Sequence, residues 1–236
     1  EEVLVVMTMG RLTSVEKANP APLFIALEQV AAQIGRPVHL WMVGYATRPE
    51  EEALHRDGAA ALCPSVAMQI IDGRVADVRR HIWAGADVFT LPVDNIQETF
   101  GLVPVEAMAA GLPVVMPDWD GFRDTVLHGE TGFLIPTRMT GGGHRIGADL
   151  AARFADGTDG YLQHLVLMQQ QTQIDIAAYV AAFVALDDPA LRARMGRAGQ
   201  DHVAATLDWS AVIPQYLALG DDLAARRRGV AVRPPL

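Results

Sequence analysis

The chain contains one cysteine, Cys63, so no intrachain disulfide can form and a reducing compartment fits best. A single cysteine of this kind reads as a small buried hydrophobe. No uninterrupted apolar run approaches the roughly 20 residues needed to cross a bilayer. The first residues, "EEVLVVMTMGRL", open on two acids, where a secretory signal would carry a basic region. A soluble, cytoplasmic protein is expected. Basic residues are in the minority, 19 against 28 acidic, for a formal net charge of -9. That balance argues against a nucleic-acid binder, which needs a basic footprint, but leaves room for a local basic pocket for phosphate. The seven histidines are scattered, and none forms an H-x-x-x-H pair. "DWD" at Asp118–Asp120 has the letters of an acidic metal motif, but it follows a predicted strand and reads as a loop. No metal and no cofactor are expected.

Half of the 236 residues are hydrophobic, enough for a sizeable core. Short apolar runs rich in β-branched residues predict strands at Val3–Thr8, Pro37–Gly44, 66–73, Asp87–Val93, Leu112–Asp118 and 132–136. Segments of helical spacing lie between them, first at Leu23–Ile34. "EEEALHRDGAAAL" is helical in composition as far as Gly58, with an open boundary. This alternation predicts an α/β fold: a Rossmann-like parallel sheet with helices on both faces. Ligands of such sheets sit outside the carboxyl ends of the strands.

The pattern breaks after Pro136. "TRMTGGGHRIGADLAARFADGTDG" is glycine-rich with little periodicity. Its run Gly141–Gly143 reads as a flexible surface loop, with an anion clasp as the weaker alternative. Helices return at "IDIAAYVAAFVAL", at "DPALRARMGRAGQDHVAATL", where Asp188-Pro189 is a cap followed by a first-turn proline, and at "DWSAVIPQYLALGDDLAARRR".

One stretch is more specific: "ETFGLVPVEAMAAGLPVV", from Glu98 to Val115. Pro104 belongs in a first helical turn, which sets the helix start near Gly101, and Gly111 with Pro113 ends it. The amides near Phe100–Val103 are then unpaired at the positive end of the helix dipole, a ready anion site. Gly101 would let a phosphate approach the backbone. Glu98 and Glu106, with seven residues between them, would line one cleft and accept hydroxyl hydrogen bonds from a sugar or ribose. For either glutamate alone, an acid stabilising the helix N-terminus is the simpler reading.

This combination resembles the donor-binding signature of the retaining family-4 glycosyltransferases, which have the GT-B architecture. "MGRLTSVEK" is similar to that family's glycine-arginine…lysine loop. "GADVFTLP", "DGFRDTVLHGETGFLIP" and "LDDPALRARMGRAGQDHVAATLDWSAVIPQYLAL" resemble its following segments. The resemblance covers residues 1–136 and about 174–220. It implies that 1–220 is the C-terminal, nucleotide-sugar-binding half of a GT-B fold, with an insertion at about 137–173. It also implies a loose tail at 221–236 and an N-terminal acceptor domain absent from this chain. Gly10, Arg11 and Lys17 would form the diphosphate loop, and Glu98 would contact the donor sugar. Glu106 would take the ribose hydroxyls. Thr99, Phe100, Gly101 and Leu102 would offer backbone amides to the phosphates. The loop around Gly73–Val75 would meet the base, Val75 through its backbone.

The implied partners are a nucleotide diphosphate sugar and, through the absent domain, a glycan or lipid-linked acceptor. The full-length protein would act in glycan or polysaccharide assembly, as a peripheral protein at the inner membrane at most. Apolar surface near Trp209 and the helix ending at Arg226–Arg228 makes a dimer of the isolated domain a risk. Two alternatives stay open: a non-catalytic nucleotide-binding or interaction module, and a GT-B sugar-nucleotide epimerase. The insertion is open among an acceptor-side lid, a contact with the absent domain and an uninvolved excursion.

Overall fold

The computed structural model describes residues 2–140 and 145–229. Six parallel strands form its centre: β1 (Leu4–Arg11), β2 (Val38–Tyr45), β3 (Val66–Asp72), β4 (Val88–Thr90), β5 (Val114–Pro117) and β6 (Gly132–Ile135). Their order is β3-β2-β1-β4-β5-β6. Each matches a run predicted from sequence. The physical reason is that β1, β4 and β5 are buried on both faces, so their side chains are apolar without alternation.

Helices cover both faces. On one, Leu4 and Val6 of β1 pack against Leu23, Phe24 and Leu27 of α1 (Ala21–Ile34) and against Tyr179 and Phe183 of α8 (Ile176–Ala185). On the other, Met7, Phe89, Val114 and Met116 meet Met108 of α4 (Leu102–Ala109) and Phe122 of α5 (Phe122–Thr125). This is the expected Rossmann-like architecture. After β3 the chain returns across β1 to lay β4 on its far side. The loops after β1 and β4 therefore diverge and open a crevice at the carboxyl ends of the two strands, where such sheets hold ligands.

Two helix boundaries carry physical information. α2 (Pro49–Leu62) runs through Gly58, where a Cβ would come within 3.3 Å of the Phe24 ring. The glycine is thus a packing contact and not a helix stop. α9 (Pro189–His202) begins as expected: the Asp188 carboxylate accepts from the Ala190 amide at 2.8 Å, with Pro189 in the first turn. A short helix, α3 (Ala76–His81), follows β3.

The stretch after Pro136, where the sequence shows little periodicity, contains secondary structure of its own. It contains β7 (Thr137–Met139) and β8 (Thr172–Ile174), paired antiparallel, with α6 (Arg145–Ala155) and α7 (Tyr161–Gln169) between them. The Arg153 guanidinium donates to both oxygens of Asp159, at 2.8 and 2.7 Å, and closes the turn between the two helices. Phe154 stacks on His164 with ring centroids 4.5 Å apart. The Gly141–Gly143 run lies outside the described residues. The last helix, α10 (Trp209–Gly229), carries the segment expected to be a loose tail from 221 as far as Gly229, and residues 230–236 lie outside the description. Along α10, Trp209, Tyr216 and Leu217 are exposed, in keeping with the apolar surface read from the sequence. Among the described residues no helix is long and apolar enough to cross a membrane.

Candidate functional site

The site is built from the two loops that diverge at the β1–β4 crevice. The first begins where β1 ends. Gly10 pairs in register with Gly44 of β2, and a Cβ on Gly44 would fall 1.8 Å from the Gly10 carbonyl oxygen. Any side chain at 44 would break the sheet there. Gly73, just after β3, continues the row, since its Cβ would lie 3.2 Å from the Gly44 Cα. The carboxyl edge of β1–β2–β3 is thus a bare backbone floor. The stem of Lys17 lies over it, with Cε 3.3 Å from where a Gly10 Cβ would stand.

Four side chains hold this first loop. Glu51 accepts from both the amide and the hydroxyl of Ser14, at 3.1 Å each. The buried Asn95 amide donates to the carbonyls of Lys17 at 2.9 Å and Val15 at 3.3 Å. Gln169 of α7 donates to the Ser14 carbonyl at 2.9 Å, and Asp94 accepts from the Asn19 amide at 3.2 Å. Asp94 and Asn95 belong to the second loop, whose path is fixed in turn by the Trp119 indole donating to the Asn95 carbonyl at 2.7 Å. Lys17 and Glu98 therefore face each other across a fixed gap. The ammonium donates to the Glu98 carboxylate at 2.5 Å, and both side chains are more than three-quarters buried.

The result is a cleft of about 290 Å³ lined by Gly10, Arg11, Glu16, Lys17, Gln97 and Glu98, with Val103 at the start of α4. Arg11 pairs with Glu16 at 3.2 Å, both well exposed. Two cations and two carboxylates balance one another in the free protein. Lys17 is also the chain's single lysine, the other 18 cationic side chains being arginine. That count is a signal the sequence reading overlooked. It sets Lys17 apart: a compact ammonium with three donors stands here in a chain that uses the planar guanidinium everywhere else. Asn95, Gln97 and Gln169 were likewise missed; neutral amides carry no charge or motif to mark them.

Other sequence candidates fall around this centre. Gly101 caps α4 with φ +76° and no side-chain cap, leaving first-turn amides at Leu102 and Val103 without intrahelical acceptors. There is a reason for glycine besides the one expected. A Cβ at 101 would sit 2.2 Å from the Phe122 ring, so packing against a buried phenylalanine already requires glycine here. Thr99, Phe100 and Leu102 are exposed and lie outside the cleft lining, as does Glu106, one turn into α4. Partial burial raises the Glu106 carboxyl above its ordinary value. Val75 is exposed at the start of α3, beyond the glycine row. Beside it Arg74 pairs with Asp72 at 2.8 Å and lies over the Tyr45 ring at 5.0 Å. Asp118 of the "DWD" loop is tied to Arg123 at 2.7 Å. Among the described residues no group of three or more His, Cys, Asp or Glu is placed to hold a metal.

The cleft thus lies at the switch point of a doubly wound sheet, and comparisons with known proteins place the chain among relatives. A family model described as "Glycosyl transferases group 1" matches residues 3–143, more than half of the chain. The chain belongs to this family. A phosphatidyl-myo-inositol mannosyltransferase of Mycobacterium leprae is 44% identical over 103 residues, covering 42% of this chain and 25% of that protein. The chain thus spans about a quarter of the length of that relative. Among solved structures, sucrose-phosphate synthase of Thermosynechococcus elongatus is 26% identical with a TM-score of 0.58, over 94% of this chain and 46% of that one. The C-terminal domain of a glycosyl transferase group 1 family protein from Francisella tularensis shares the fold at 14% identity, with a TM-score of 0.55 and 87% of both chains covered. This group 1 glycosyl transferase chain thus has the GT-B-type domain fold of its family.

Proposed function

We propose that this chain is the donor-binding half of a retaining glycosyltransferase and that the cleft between the β1 and β4 loops takes the diphosphate of a nucleotide sugar. The observation that carries the reading is the chain's only lysine, held against Glu98 over a glycine floor at the switch point of the sheet. Arg11, Lys17 and the first-turn amides of α4 receive the diphosphate. As the bond from the sugar to the phosphate oxygen breaks, these groups stabilise the charge that develops on the leaving diphosphate. Glu98, beside Lys17, accepts hydroxyls of the sugar. Glu106 accepts the ribose hydroxyls, and the base lies beyond the glycine row toward Gly73–Val75. On this reading cationic side chains and amides do the work that a metal does elsewhere. The acceptor surface comes from a second domain, with an acceptor of glycan or lipid-linked type.

Titration calorimetry of this chain with UDP, GDP and ADP tests the proposal. Binding of at least one, lost in Arg11→Ala and Glu106→Ala, supports a donor site. Failure to bind any of the three would favour a non-catalytic interaction module. Transfer itself is assayed on a protein that also carries an acceptor domain.

A further inference from the structure

The insertion that interrupts the family pattern reaches into the site. Its helix α7 touches the cleft loops at both ends. At the first residue, the Tyr161 hydroxyl donates to the Gln97 side-chain oxygen at 3.3 Å, and Gln97 lines the cleft. At the last residue, the Gln169 amide nitrogen donates to two acceptors, the Ser14 carbonyl at 2.9 Å and the Asp94 carboxylate at 2.7 Å. Ser14 belongs to the loop that carries Lys17; Asp94 belongs to the loop that carries Glu98. A nine-residue helix spans roughly 13 Å, so α7 lies along the rim, touching the second loop at its first residue and both loops at its last.

The Gln169 contact is selective in its chemistry. One NH2 group has two hydrogens, and here each goes to a different loop. The Asp94 carboxylate is buried, so it needs those donors: Gln169 and the Asn19 amide share its Oδ1. Removing the Gln169 amide would leave a buried carboxylate and a loop carbonyl each short of a donor at the point where the two loops meet. Among the described residues no other side chain donates to both loops.

We propose that Gln169 is a positioning residue for the donor cleft: through its bonds to Ser14 and Asp94 it sets the distance between Lys17 and Glu98. This rests on the donor-site reading and gives the insertion a role within it, that of a rim clamp.

The test uses Gln169→Met, which keeps the volume and removes both hydrogen bonds, alongside Gln169→Ala. The nucleoside diphosphate that binds wild type best is titrated into each, with thermal unfolding as a check on folding. Gln169→Met is expected to weaken binding about tenfold, the scale of one to two hydrogen bonds. A double-mutant cycle with Lys17→Met separates positioning from general support. If Gln169 acts through Lys17, the two losses are strongly less than additive; independent, additive losses overturn the proposal. Binding by Gln169→Met within twofold of wild type also overturns it. Amide hydrogen exchange provides a readout that does not need a ligand: residues 12–19 and 94–98 should exchange faster in Gln169→Met than in wild type. If wild type binds no nucleoside diphosphate, the donor-site reading fails, and unchanged exchange in these two segments then overturns the clamp separately.

Discussion

Replacing Lys17 by methionine isolates the charge at the centre of the cleft. The methionine side chain keeps an unbranched stem over Gly10 and removes the ammonium. Two costs follow, and the structure sets the scale of each. The first is to folding. Lys17 and Glu98 are 20% and 15% exposed, between a surface pair worth about 0–1 kcal/mol and a buried pair whose disruption costs about 3–5. A loss of roughly 1–2 kcal/mol is expected, which in a chain of this size lowers Tm by roughly 3–6 °C. The second is to binding. A hydrogen bond to a charged group contributes about 1.5–3 kcal/mol, so nucleoside diphosphate affinity should fall roughly 10- to 100-fold. Titration calorimetry at a temperature well below both Tm values separates the two. The single lysine offers a second assay on unaltered protein. Mass spectrometry after brief amine acylation reads position 17 directly, because only the chain's own α-amine competes. A bound diphosphate should slow that acylation. Affinity for Lys17→Met within twofold of wild type, together with an acylation rate at Lys17 unaffected by ligand, would refute the assignment.

Gly101→Ala should destabilise the fold by roughly 2–4 kcal/mol in urea unfolding, since its Cβ enters the Phe122 ring at a φ of +76°; a loss below about 0.5 kcal/mol would show that Phe122 yields easily. Burial pushes the Asp94 carboxyl from 3.8 up to about 6. Its folded value is the higher one, so its contribution to stability is fully present below about pH 4 and is lost as pH rises through 6, about 3 kcal/mol in all. Asp94→Asn should flatten that part of the stability–pH curve, and an unchanged slope between pH 4 and 6 would assign the effect elsewhere. Glu106→Gln, on the exposed side of α4, should leave Tm within about 1 °C and weaken UDP or GDP binding about 5- to 20-fold. The penalty should vanish with the 2′,3′-dideoxy nucleotide; a penalty that persists would remove the ribose from Glu106.

The sheet was legible because its signal is local. Runs such as Leu4–Thr8 and Val114–Pro117 are apolar on both faces and need no partner to be recognised. Lys17, Glu98 and Arg11 were legible through the motif spacing that the fold gathers at one crevice. What escaped depends on contacts far apart in the chain. Gly58 looked like a helix stop because Phe24, 34 residues earlier, is its reason for being glycine. Gly101 is glycine also because a ring 21 residues later fills the place of its Cβ, a contact invisible in the sequence. The elements between Thr137 and Ile174 went unassigned because their order comes from strand pairing between those two residues and from the Arg153–Asp159 clasp, neither of which leaves a periodic trace in sequence.

If the cleft takes a diphosphate as proposed, its charge balance also bears on how that anion would enter a protein with a net charge of -9. Both cations are already paired, but unequally. The Arg11–Glu16 pair is well exposed, so exchanging Glu16 for a phosphate costs about 1 kcal/mol or less. Lys17 need not exchange at all. Its ammonium has three donors, and Glu98 uses one of them, which leaves the others for a diphosphate while the carboxylate stays in place. On the proposed donor-site reading Glu98 would thereby stay next to the phosphate, where a group that accepts hydrogen bonds from hydroxyls of the attached sugar has to stand. An arginine at 17, planar and bidentate, would bind the Glu98 carboxylate with both prongs and present less to the ligand. On that reading a lysine is favoured at position 17 in a chain otherwise built with arginine. It requires Lys17→Arg to lose nucleotide affinity while gaining or keeping stability, a pairing of effects that a purely structural salt bridge would not produce.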